Sequence, residues 1–292
     1  MTLSLEQILE LSETAKSAAL QAGKVISEYP REKLEVNKKS GGDSLASQVV
    51  TEVDLLAEKK IIEVLTPTLN KYDLALLSEE SVDDKSRLEK DYFWCIDPID
   101  GTLPFIEGTS GYAVAIALVA KDGSPVIGVI NDAFNGILYN SVKDQGATRN
   151  GEKFSVSKDL TDRPFTFVSD RSIKNYFRYD EVMEKLEKLS VDLEYNGFET
   201  ILHGGAAMNS CWLIENAPAA YFKFPKPQQG GGSLWDFAAS SAVVLEAGGF
   251  AKDFYGDPLD LNRKDSTYMN HKGALLASDG NIAKEIMKIF EV

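Results

Sequence analysis

The sequence is poor in cysteine and histidine. Among its 292 residues there are two of each: Cys95 and Cys211, and His203 and His271. Two cysteines imply no disulfide framework, which predicts a reducing compartment. Neither histidine belongs to a recognisable ligand pair, which argues against a zinc site. Both histidines are predicted to lie at the surface or at the edge of a cleft.

Long apolar runs and an excess of positive charge are also missing. No stretch approaches about 18 consecutive apolar residues, and the first residues do not have the basic and apolar segments of a signal peptide. The formal net charge is −14, so no Lys/Arg stripe is available for a nucleic-acid backbone or an anionic membrane. The sequence therefore predicts a soluble, cytoplasmic protein that binds neither nucleic acid nor a membrane.

What is present predicts helices followed by a strand-rich region. Hydrophobic residues make up 43% of the chain, which is enough for a buried core. A first helix is predicted from the capping-box pair Ser4 and Gln7 to Pro30, and a second helix is predicted to end at Pro67. The stretch from Lys38 to Ser47 is predicted as an exposed loop. Short apolar runs bounded by turn residues predict neighbouring strands at Leu74–Leu77, Tyr92–Ile96, Tyr112–Ala120 and Val126–Ile130.

Beyond about Ser157 strands and helices alternate. The clearest helix runs from Leu234 to Ala247 and stops at Gly248-Gly249. Strands are also predicted at Phe165–Ser169, Tyr221–Phe224 and Ala274–Ala277. Helices are predicted near Asp180–Leu189 and Gly205–Glu215 and at the end of the chain. This order predicts an α+β or α/β fold, a layered sandwich of alternating helices and sheets. We expect two packed halves, residues 1–157 and 158–292, that share one cleft.

The most informative segment is Asp97-Pro98-Ile99-Asp100-Gly101-Thr102, which follows an apolar strand. Two carboxylates three residues apart and the carbonyl of Ile99 can point into one pocket, with Pro98 fixing a turn and Gly101 admitting a close ligand. Hard divalent cations prefer such all-oxygen ligands, and the backbone N–H groups after Asp100 would face an anion. An ordinary Asp-Pro turn that ends a strand explains these residues equally well.

A haloacid-dehalogenase nucleophile loop is a competing interpretation of the same segment. That loop also joins a strand to two aspartates, but it separates them by one residue and usually lies near the N-terminus. Here two residues separate Asp97 from Asp100, and the segment lies past residue 90. The spacing therefore disfavours an aspartyl-phosphate mechanism.

Other acidic residues have a simple structural explanation when each is taken alone. Glu79-Glu80 follows the apolar run Leu74–Leu77 and could be a solvated turn. Asp54 could cap the second helix. Asp236 falls in the first turn of the helix that starts at Leu234, where the helix dipole favours a carboxylate regardless of function. Only the combination of these motifs favours a functional site over separate structural explanations.

In order and form the motifs resemble those of the inositol monophosphatase superfamily of magnesium-dependent, lithium-sensitive phosphatases. The resemblance covers roughly residues 40 to 280, and the motifs that carry it are Thr51–Asp54, Glu79-Glu80, Asp97–Thr102, Trp235–Ala239 and Glu246–Gly249. It implies an enzyme that hydrolyses a small phosphate monoester, with two or three Mg²⁺ per active site. It also implies the layered fold predicted above, and the family commonly forms homodimers.

The resemblance further implies the metal ligands. Glu79, Asp97 and the carbonyl of Ile99 would hold one Mg²⁺, while Asp97, Asp100 and Asp236 would hold a second. Such a pair suits the chemistry, because a cation can lower the pKa of a bound water and another can stabilise the leaving alkoxide. Without metal, clustered carboxylates repel one another and have raised pKa values. We therefore expect metal binding to stabilise the fold.

Residues for the water and the phosphate are implied in the same way. Asp54, Glu79 and Thr102 would orient the attacking water, and the N–H groups of Gly101 and Thr102 would bind the phosphate. Gly205 is placed near the substrate, where a plain turn is an equally simple explanation. The full set expected at the phosphate and substrate is Asp100, Gly101, Thr102, Gly205 and Asp236.

Two departures from the family pattern bear on the substrate. Leu103-Pro104-Phe105 replaces the usual residues after Gly-Thr, and the segment from Tyr221 to Trp235 is longer than in simple inositol monophosphatases. In that segment Lys223 and Lys226 precede a glycine-rich stretch, residues 228–232, which is predicted as a flexible loop over the cleft where lysines could meet a second phosphate.

Three alternatives for the function follow. The segment from Tyr268 to Ala277, with Gly204-Gly205 and Ala220-Tyr221, resembles the 3′(2′),5′-bisphosphate nucleotidase branch, which clears adenosine 3′,5′-bisphosphate. We rank that substrate narrowly ahead of inositol monophosphate. A metal- or nucleotide-binding regulator without catalytic activity ranks below both, because every candidate ligand and water-orienting residue is present.

Overall fold

A computed structural model of the chain describes residues 2–30, 32, 34, 36–38, 49–157, 160 and 162–290. Its helices are α1 (Leu5–Glu28), α2 (Glu52–Tyr72), α3 (Thr102–Glu107), α4 (Tyr179–Asp192), α5 (Ala206–Glu215), α6 (Leu234–Glu246) and α7 (Gly280–Phe290). Short 3₁₀ turns lie at Ser86–Leu88 and Arg171–Asn175. Within the described ranges every helix is too short or too polar to cross a membrane.

The strands in the described ranges form two main sheets and a small ribbon. The ribbon pairs β1 (Val36–Lys38) with β2 (Val49–Thr51). The first sheet has, in spatial order, β3 (Ala75–Ser78), β4 (Tyr92–Asp100), β5 (Ala113–Ala120), β6 (Pro125–Asp132), β7 (Ile137–Val142), β8 (Gly146–Arg149) and β9 (Glu152–Phe154). Its β3 and β4 are parallel, and the later pairs are antiparallel.

The second sheet follows the order β11 (Phe198–Leu202), β10 (Phe165–Ser169), β12 (Ala219–Lys223), β14 (Ala274–Ala277) and β13 (Phe250–Lys252). Strand β10 runs parallel to both β11 and β12. The β12–β14 and β13–β14 pairs are antiparallel. The carboxyl ends of three parallel strands therefore lie at one edge of this sheet.

Three apolar clusters arrange these elements in five layers. One cluster joins α1 and α2 to the outer face of the first sheet. A second lies between the two sheets and contains α5 and α6, and a third joins α4 and α7 to the outer face of the second sheet. This arrangement confirms the layered sandwich predicted from the sequence. The division of the chain near residue 157 stays a prediction.

The first helix agrees with its predicted limits. Ser4 and Gln7 form the capping box, with the Ser4 N–H donating to Gln7 Oε1 at 2.8 Å and the Gln7 N–H donating to Ser4 Oγ at 3.3 Å. The helix ends before Pro30. Most of the stretch predicted as a loop, from Lys38 to Ser47, lies outside the described residues.

The second helix does not end at Pro67, and that prediction is wrong. α2 continues to Tyr72 with Pro67 inside it, although an interior proline costs about 3 kcal/mol. Threonine hydroxyls on either side of the proline donate to carbonyls of the preceding turn, from Thr66 to Ile62 at 2.7 Å and from Thr68 to Leu65 at 2.6 Å. Tertiary packing of this last turn offsets the local cost.

Candidate active site

The segment Asp97–Asp100 belongs to the end of β4, where the sequence predicted a turn. β4 continues to Asp100, and its register against β5 shifts between Asp97 and Asp100. Pro98 explains the shift, because proline cannot donate to a ladder and occurs within sheets mainly at edges and bulges. The bulge lets both aspartates occupy the same strand end, and both are buried.

Glu79 reaches this strand end because β3 is parallel to β4. Ser78 is the last residue of β3 and is paired in register with Ile96, and the Glu79 N–H extends the ladder to the Ile96 carbonyl at 3.2 Å. The Glu79 side chain hydrogen-bonds that of Asp97. The structure thus brings together Glu79 and Asp97 as the sequence predicted.

Asp100 lies at the N-terminus of α5. Its Oδ1 accepts from the Ala206 N–H at 3.0 Å and its Oδ2 from the Ala207 N–H at 2.7 Å. These are N–H groups that have no partner within the helix, and the helix dipole favours a negative charge beside them. A helix of the middle layer therefore orients an aspartate of the first sheet.

Gly205 explains how Asp100 can come so near the helix. A Cβ atom at residue 205 would lie 2.4 to 2.7 Å from the carboxylate atoms of Asp100, which is closer than real Cβ contacts. Gly101 is required for a second reason, since its φ is +87° and an added Cβ would lie 2.5 Å from the Gly111 carbonyl oxygen. Gly205 thus lets the backbone approach the Asp100 carboxylate, and Gly101 lets it approach the backbone of Gly111.

We expect Gly205→Ala to weaken magnesium binding, because the added methyl group must displace the Asp100 carboxylate. Displacing the support of a metal ligand typically costs about tenfold or more in metal affinity. The measurement is the Mg²⁺ concentration that gives half-maximal phosphate release. Gly280→Ala is the control, since a Cβ there meets only Phe250 at 3.9 Å. An unchanged magnesium requirement in Gly205→Ala would contradict the placement of Asp100.

Asp236 joins the cluster from the other middle helix. It lies in the first turn of α6, where its Oδ2 accepts the Ser233 N–H at 2.6 Å. In the described part of the chain, carboxylate oxygens of Asp97, Asp100 and Asp236 all lie within 4.8 Å of one another. Residues separated by more than a hundred positions thus meet at the junction of the first sheet with α5 and α6.

The pKa values of this cluster are raised, chiefly by burial. The pKa values of Asp97 and Asp100 lie well above the usual range for aspartate because burial disfavours the charged form; after burial, the charge of Glu79 acts most on Asp97 and that of Asp236 on Asp100. Burial and the charge of Glu79 raise the pKa of Asp236 to about 7. Repulsion between confined carboxylates is removed when a cation binds between them.

The donor set fits magnesium. Mg²⁺ takes oxygen ligands and is usually held by one or two carboxylates with waters and substrate phosphates. The Ile99 carbonyl lies between the two aspartates of the bulge and accepts the Thr102 hydroxyl at 3.3 Å. The cluster therefore offers the carboxylate oxygens of Asp97, Asp100 and Asp236 to a common cation position.

Asp54 and Thr102 lie at neighbouring helix starts. Asp54 is buried and accepts from the backbone N–H of Thr51 at 2.8 Å and from the Thr51 hydroxyl, which confirms its function as a helix cap. β2, which ends at Thr51, packs against α3, whose first residue is the buried Thr102. The Thr51–Asp54 motif is therefore placed beside the C-terminal end of the Asp97–Thr102 motif.

The carboxyl edge of the second sheet borders the cluster and carries charged residues, of which Asp170 and Arg171 were not singled out in the sequence. Asp170 and Arg171 directly follow β10, as His203 follows β11, and Lys223 ends β12. Lys223 forms an ion pair with Asp170, and its charge partly offsets the rise in the pKa of Asp236 that burial and Glu79 cause. Asp170-Arg171 could have been found in the sequence as a charged pair that directly follows the apolar run Phe165–Ser169, because Glu79 and Asp97 also follow strands.

The two histidines and the glycine-rich stretch are placed as follows. His203 is exposed, and its ring lies 4.9 Å from that of Trp212. His271 is partly buried and lies 2.9 Å from a guanidinium nitrogen of Arg263. The stretch predicted as a flexible loop is held at both ends, by the Lys226 N–H donating to Asn270 at 2.8 Å and the Met269 N–H donating to Gly232 at 2.9 Å.

Fold and site together define a phosphatase that works with a hard divalent cation. The family model of the inositol monophosphatase family matches residues 7–290, and the chain belongs to that family. Human inositol monophosphatase 1 is 31% identical over 284 residues, which cover 96% of this chain and 95% of the human protein. Members of the family are Mg²⁺-dependent phosphatases, and Asp97, Asp100 and Asp236 form an acidic cluster that could bind the cation.

Solved structures agree on the fold. The Thermotoga maritima IMPase superimposes with a TM-score of 0.71 at 21% identity and covers 96% of this chain and 97% of its own. The 2′-AMP-bound SaIMPase-II gives a TM-score of 0.71 at 21% identity, with coverage of 96% and 93%. At this level of identity the likeness establishes the shared architecture alone.

Proposed function

We propose that the chain hydrolyses a phosphate monoester that carries a second anionic group, with 3′(2′),5′-bisphosphate nucleotides such as adenosine 3′,5′-bisphosphate as the substrate class. The observation that carries this proposal is the group of basic side chains beside the acidic cluster in a chain of net charge −14. These side chains are Arg171, His203 and Lys223. The proposal also assigns functions to the clustered residues.

In this proposal Glu79, Asp97, the Ile99 carbonyl, Asp100 and Asp236 hold two or three Mg²⁺. The bound cation supplies charge neutralisation for the phosphate and a water of lowered pKa. The buried pocket supports the assignment, because electrostatic interactions are stronger where water is excluded.

In this proposal, side chains and backbone N–H groups of the protein orient the attacking water and the phosphate. Asp54, Glu79 and Thr102 position the attacking water by accepting its protons and fixing its lone pair toward phosphorus. The N–H groups of Gly101 and Thr102 bind the phosphate oxygens, and the lack of a side chain at Gly205 leaves room for the rest of the substrate. The left-handed backbone of Gly101 supports this placement, since it re-aims the chain directly after Asp100.

The remainder of the substrate is expected at the carboxyl edge of the second sheet. Ligands of open sheets with parallel strands bind outside the carboxyl ends of those strands. Here the ends of β11, β10 and β12 meet the N-terminus of α5, which holds Asp100. A substrate phosphate at the cluster would therefore direct its other groups over Asp170 and its neighbours.

Two cations at this edge can bind a second phosphate. Arg171 makes a bidentate pair with Glu107 at the end of α3, with N···O distances of 2.5 and 2.6 Å. Its charge also contributes to the lowered pKa of His203. Lys223 is paired with Asp170 and is only 21% exposed. An anion between Arg171 and Lys223 would meet partly desolvated positive charges, where charge-assisted hydrogen bonds are strongest.

Inositol monophosphate hydrolysis is the second candidate. It is favoured by the 31% identity with human inositol monophosphatase 1. The neutral hydroxyls of such a substrate would have carboxylates such as Asp170 as acceptors. By their descriptions SaIMPase-II has been solved with 2′-AMP bound and with inositol monophosphate bound, so that protein binds ligands of both classes.

The test compares phosphate release from adenosine 3′,5′-bisphosphate and inositol 1-phosphate in the wild type and in a Lys223→Met, Asp170→Asn double variant. The double substitution removes the cation without leaving a buried carboxylate unpaired. We expect the wild type to prefer the bisphosphate and the variant to lose about 10- to 100-fold in kcat/KM for it, which corresponds to one charge-assisted hydrogen bond of about 1.5–3 kcal/mol. Turnover of inositol 1-phosphate should change less than about threefold.

Lys90→Met serves as the control, since Lys90 and Asp73 form a surface ion pair that precedes β4 and β3, at the strand ends opposite to those that carry Asp97 and Glu79. Equal or better turnover of inositol 1-phosphate by the wild type would overturn the nucleotidase proposal. The homodimer and the cytoplasmic location are further proposals that rest on the sequence.

A further inference from the structure

We propose that Asn262 and Arg263 are positioning residues that hold two metal-binding loops at a fixed separation. The Glu79 loop is residues 79–85, and the Asp236 loop is residues 226–236. They follow strands of different sheets, and a chain of hydrogen bonds, mostly buried or partly buried, joins them through Asn262 and Arg263. The inference rests on the metal ligands proposed above, and its test distinguishes a failure of the positioning proposal from a failure of the ligand assignment.

The Glu79 loop is anchored at its far end by Arg87. Asp83 accepts from the Arg87 Nε at 3.0 Å and from its Nη2 at 2.9 Å, and it also accepts the Lys85 N–H at 2.9 Å. The Arg87 side chain is 0% exposed. A fully buried guanidinium whose nitrogens are directed at specific acceptors gives the loop one geometry.

Asn262 connects this anchor to the second half of the chain. Its Oδ1 accepts from the Arg87 Nη1 at 2.7 Å, and its Nδ2 donates to the Arg87 carbonyl at 3.2 Å and the Lys121 carbonyl at 2.8 Å. The residue is 7% exposed. One amide side chain therefore makes three hydrogen bonds across the boundary between the two sheets.

Arg263 continues the connection to the turn that follows. Its Nη1 donates to the Tyr268 carbonyl at 3.0 Å and to Asn270 Oδ1 at 3.3 Å. Its Nε and Nη2 pair with Asp265 at 2.7 and 2.8 Å. The guanidinium thus sets the shape of residues 263–271.

That turn holds the Asp236 loop at both ends. The Asn270 backbone carbonyl accepts the Lys226 N–H at 2.8 Å, and the Asn270 Nδ2 donates to the Lys226 carbonyl at 3.1 Å. The Met269 N–H donates to Gly232 at 2.9 Å, and Thr267 accepts the Leu234 N–H at 2.8 Å. Ser233 lies between these anchors and donates its N–H to Asp236 Oδ2.

The spacing of the two loops matters because Mg²⁺ demands a nearly ideal octahedron with metal–oxygen distances of about 2.0–2.1 Å. Glu79 reaches the cluster from the end of β3 in the first sheet and Asp236 from the start of α6, and the charge of Glu79 acts on Asp236. Loss of the Asn262 amide would let the loops relax apart under this repulsion. Groups outside the ligand shell commonly change metal affinity by about 10- to 100-fold when they are replaced.

The test is calorimetric titration with Mg²⁺ alone, together with thermal unfolding in EDTA. We expect Asn262→Ala to raise the dissociation constant for Mg²⁺ about tenfold, and Arg263→Gln to raise it in the same direction. Arg263→Lys, which keeps the charge and one donor, should recover part of the affinity. Arg263→Gln also serves if Asn262→Ala does not fold.

Thr68→Val is the matched control, because it removes a buried hydrogen bond, the one from Trp94 Nε1 at 2.9 Å, on the far side of the first sheet. It should lower the melting temperature in EDTA and leave the magnesium constant unchanged. Asp97→Asn tests the ligand assignment in the same titration. If Asp97→Asn abolishes binding while Asn262→Ala and Arg263→Gln bind Mg²⁺ like the wild type, the positioning proposal is overturned and the ligand assignment stands. If Asp97→Asn also binds normally, both fall.

Discussion

Asp97→Asn should lower kcat/KM for the preferred phosphate ester by about 10³-fold or more while the protein stays folded. Asp97 is buried among Glu79, Asp100 and Asp236, and in our proposal it contacts both cations. An amide has the same shape but supplies one neutral oxygen in place of a charged pair, so cation binding loses its central ligand. A loss of about 4 kcal/mol of transition-state stabilisation corresponds to a 10³-fold change.

Asp132→Asn is the control for this substitution. Asp132 is equally buried in the first sheet, but it accepts from the N–H groups of Phe134 and Asn135 at 3.1 and 3.0 Å. Removing its charge tests whether the loss of any buried aspartate in this sheet lowers turnover. Wild-type turnover in Asp97→Asn, or an equal loss in Asp132→Asn, would contradict the proposed catalytic site.

Asp236→Asn should stabilise the metal-free protein at neutral pH and above. The pKa of Asp236 is raised from 3.8 to about 7, so between these values the folded state binds more protons than the unfolded chain. Stability contributed by this carboxyl is therefore lost as pH rises from about 4 to about 7. The amide cannot ionise and can still accept the Ser233 N–H, so it avoids this loss.

The difference in melting temperature between Asp236→Asn and the wild type, measured in EDTA, should grow from pH 5.5 to pH 8. About 1.5 pH units of titration correspond to about 2 kcal/mol, or roughly 5 °C for a chain of this size. Addition of Mg²⁺ at pH 8 should reverse the order, because the wild type binds the cation and the variant binds it poorly. A difference that is constant with pH would contradict the raised pKa of Asp236.

The acidic motifs could be found in the sequence because each follows a local rule. Glu79 and Asp97 follow apolar strands, and Asp54 and Asp236 occupy the first turns of helices, where capping explains them independently of function. Their meeting at one point was predictable only through the resemblance. Asp97 and Asp236 are separated by nearly half of the chain, and no local pattern specifies their contact.

Features that depend on tertiary contacts were not predicted. Strands β7, β8 and β9 are short and lack a long apolar run, so they have a weak period-two signal. Pro67 indicated a helix end because the threonine hydroxyls and the packing that support it are not visible in a local pattern. α5 and α6 are buried between two sheets, so their sequences indicate helices but not which face meets which sheet.

Asn262 shows the same limit at the site. As a single asparagine in a charged segment it resembles any surface turn residue. Its importance appears only when Arg87 and Lys121, which are far away in the sequence, are seen to share its amide. The lysine at residue 223 was noticed from its neighbours in sequence, whereas its partner Asp170 required the parallel order of β10 and β12.

Anomalous scattering from a crystal grown with Mn²⁺ and inorganic phosphate tests the central claim most directly, because Mn²⁺ prefers the same oxygen ligands as Mg²⁺. We predict at least one peak within about 2.5 Å of carboxylate oxygens of both Asp97 and Asp236, with Glu79 or Asp100 completing the site. The absence of any peak among these four carboxylates, or peaks only elsewhere on the protein, would contradict the account.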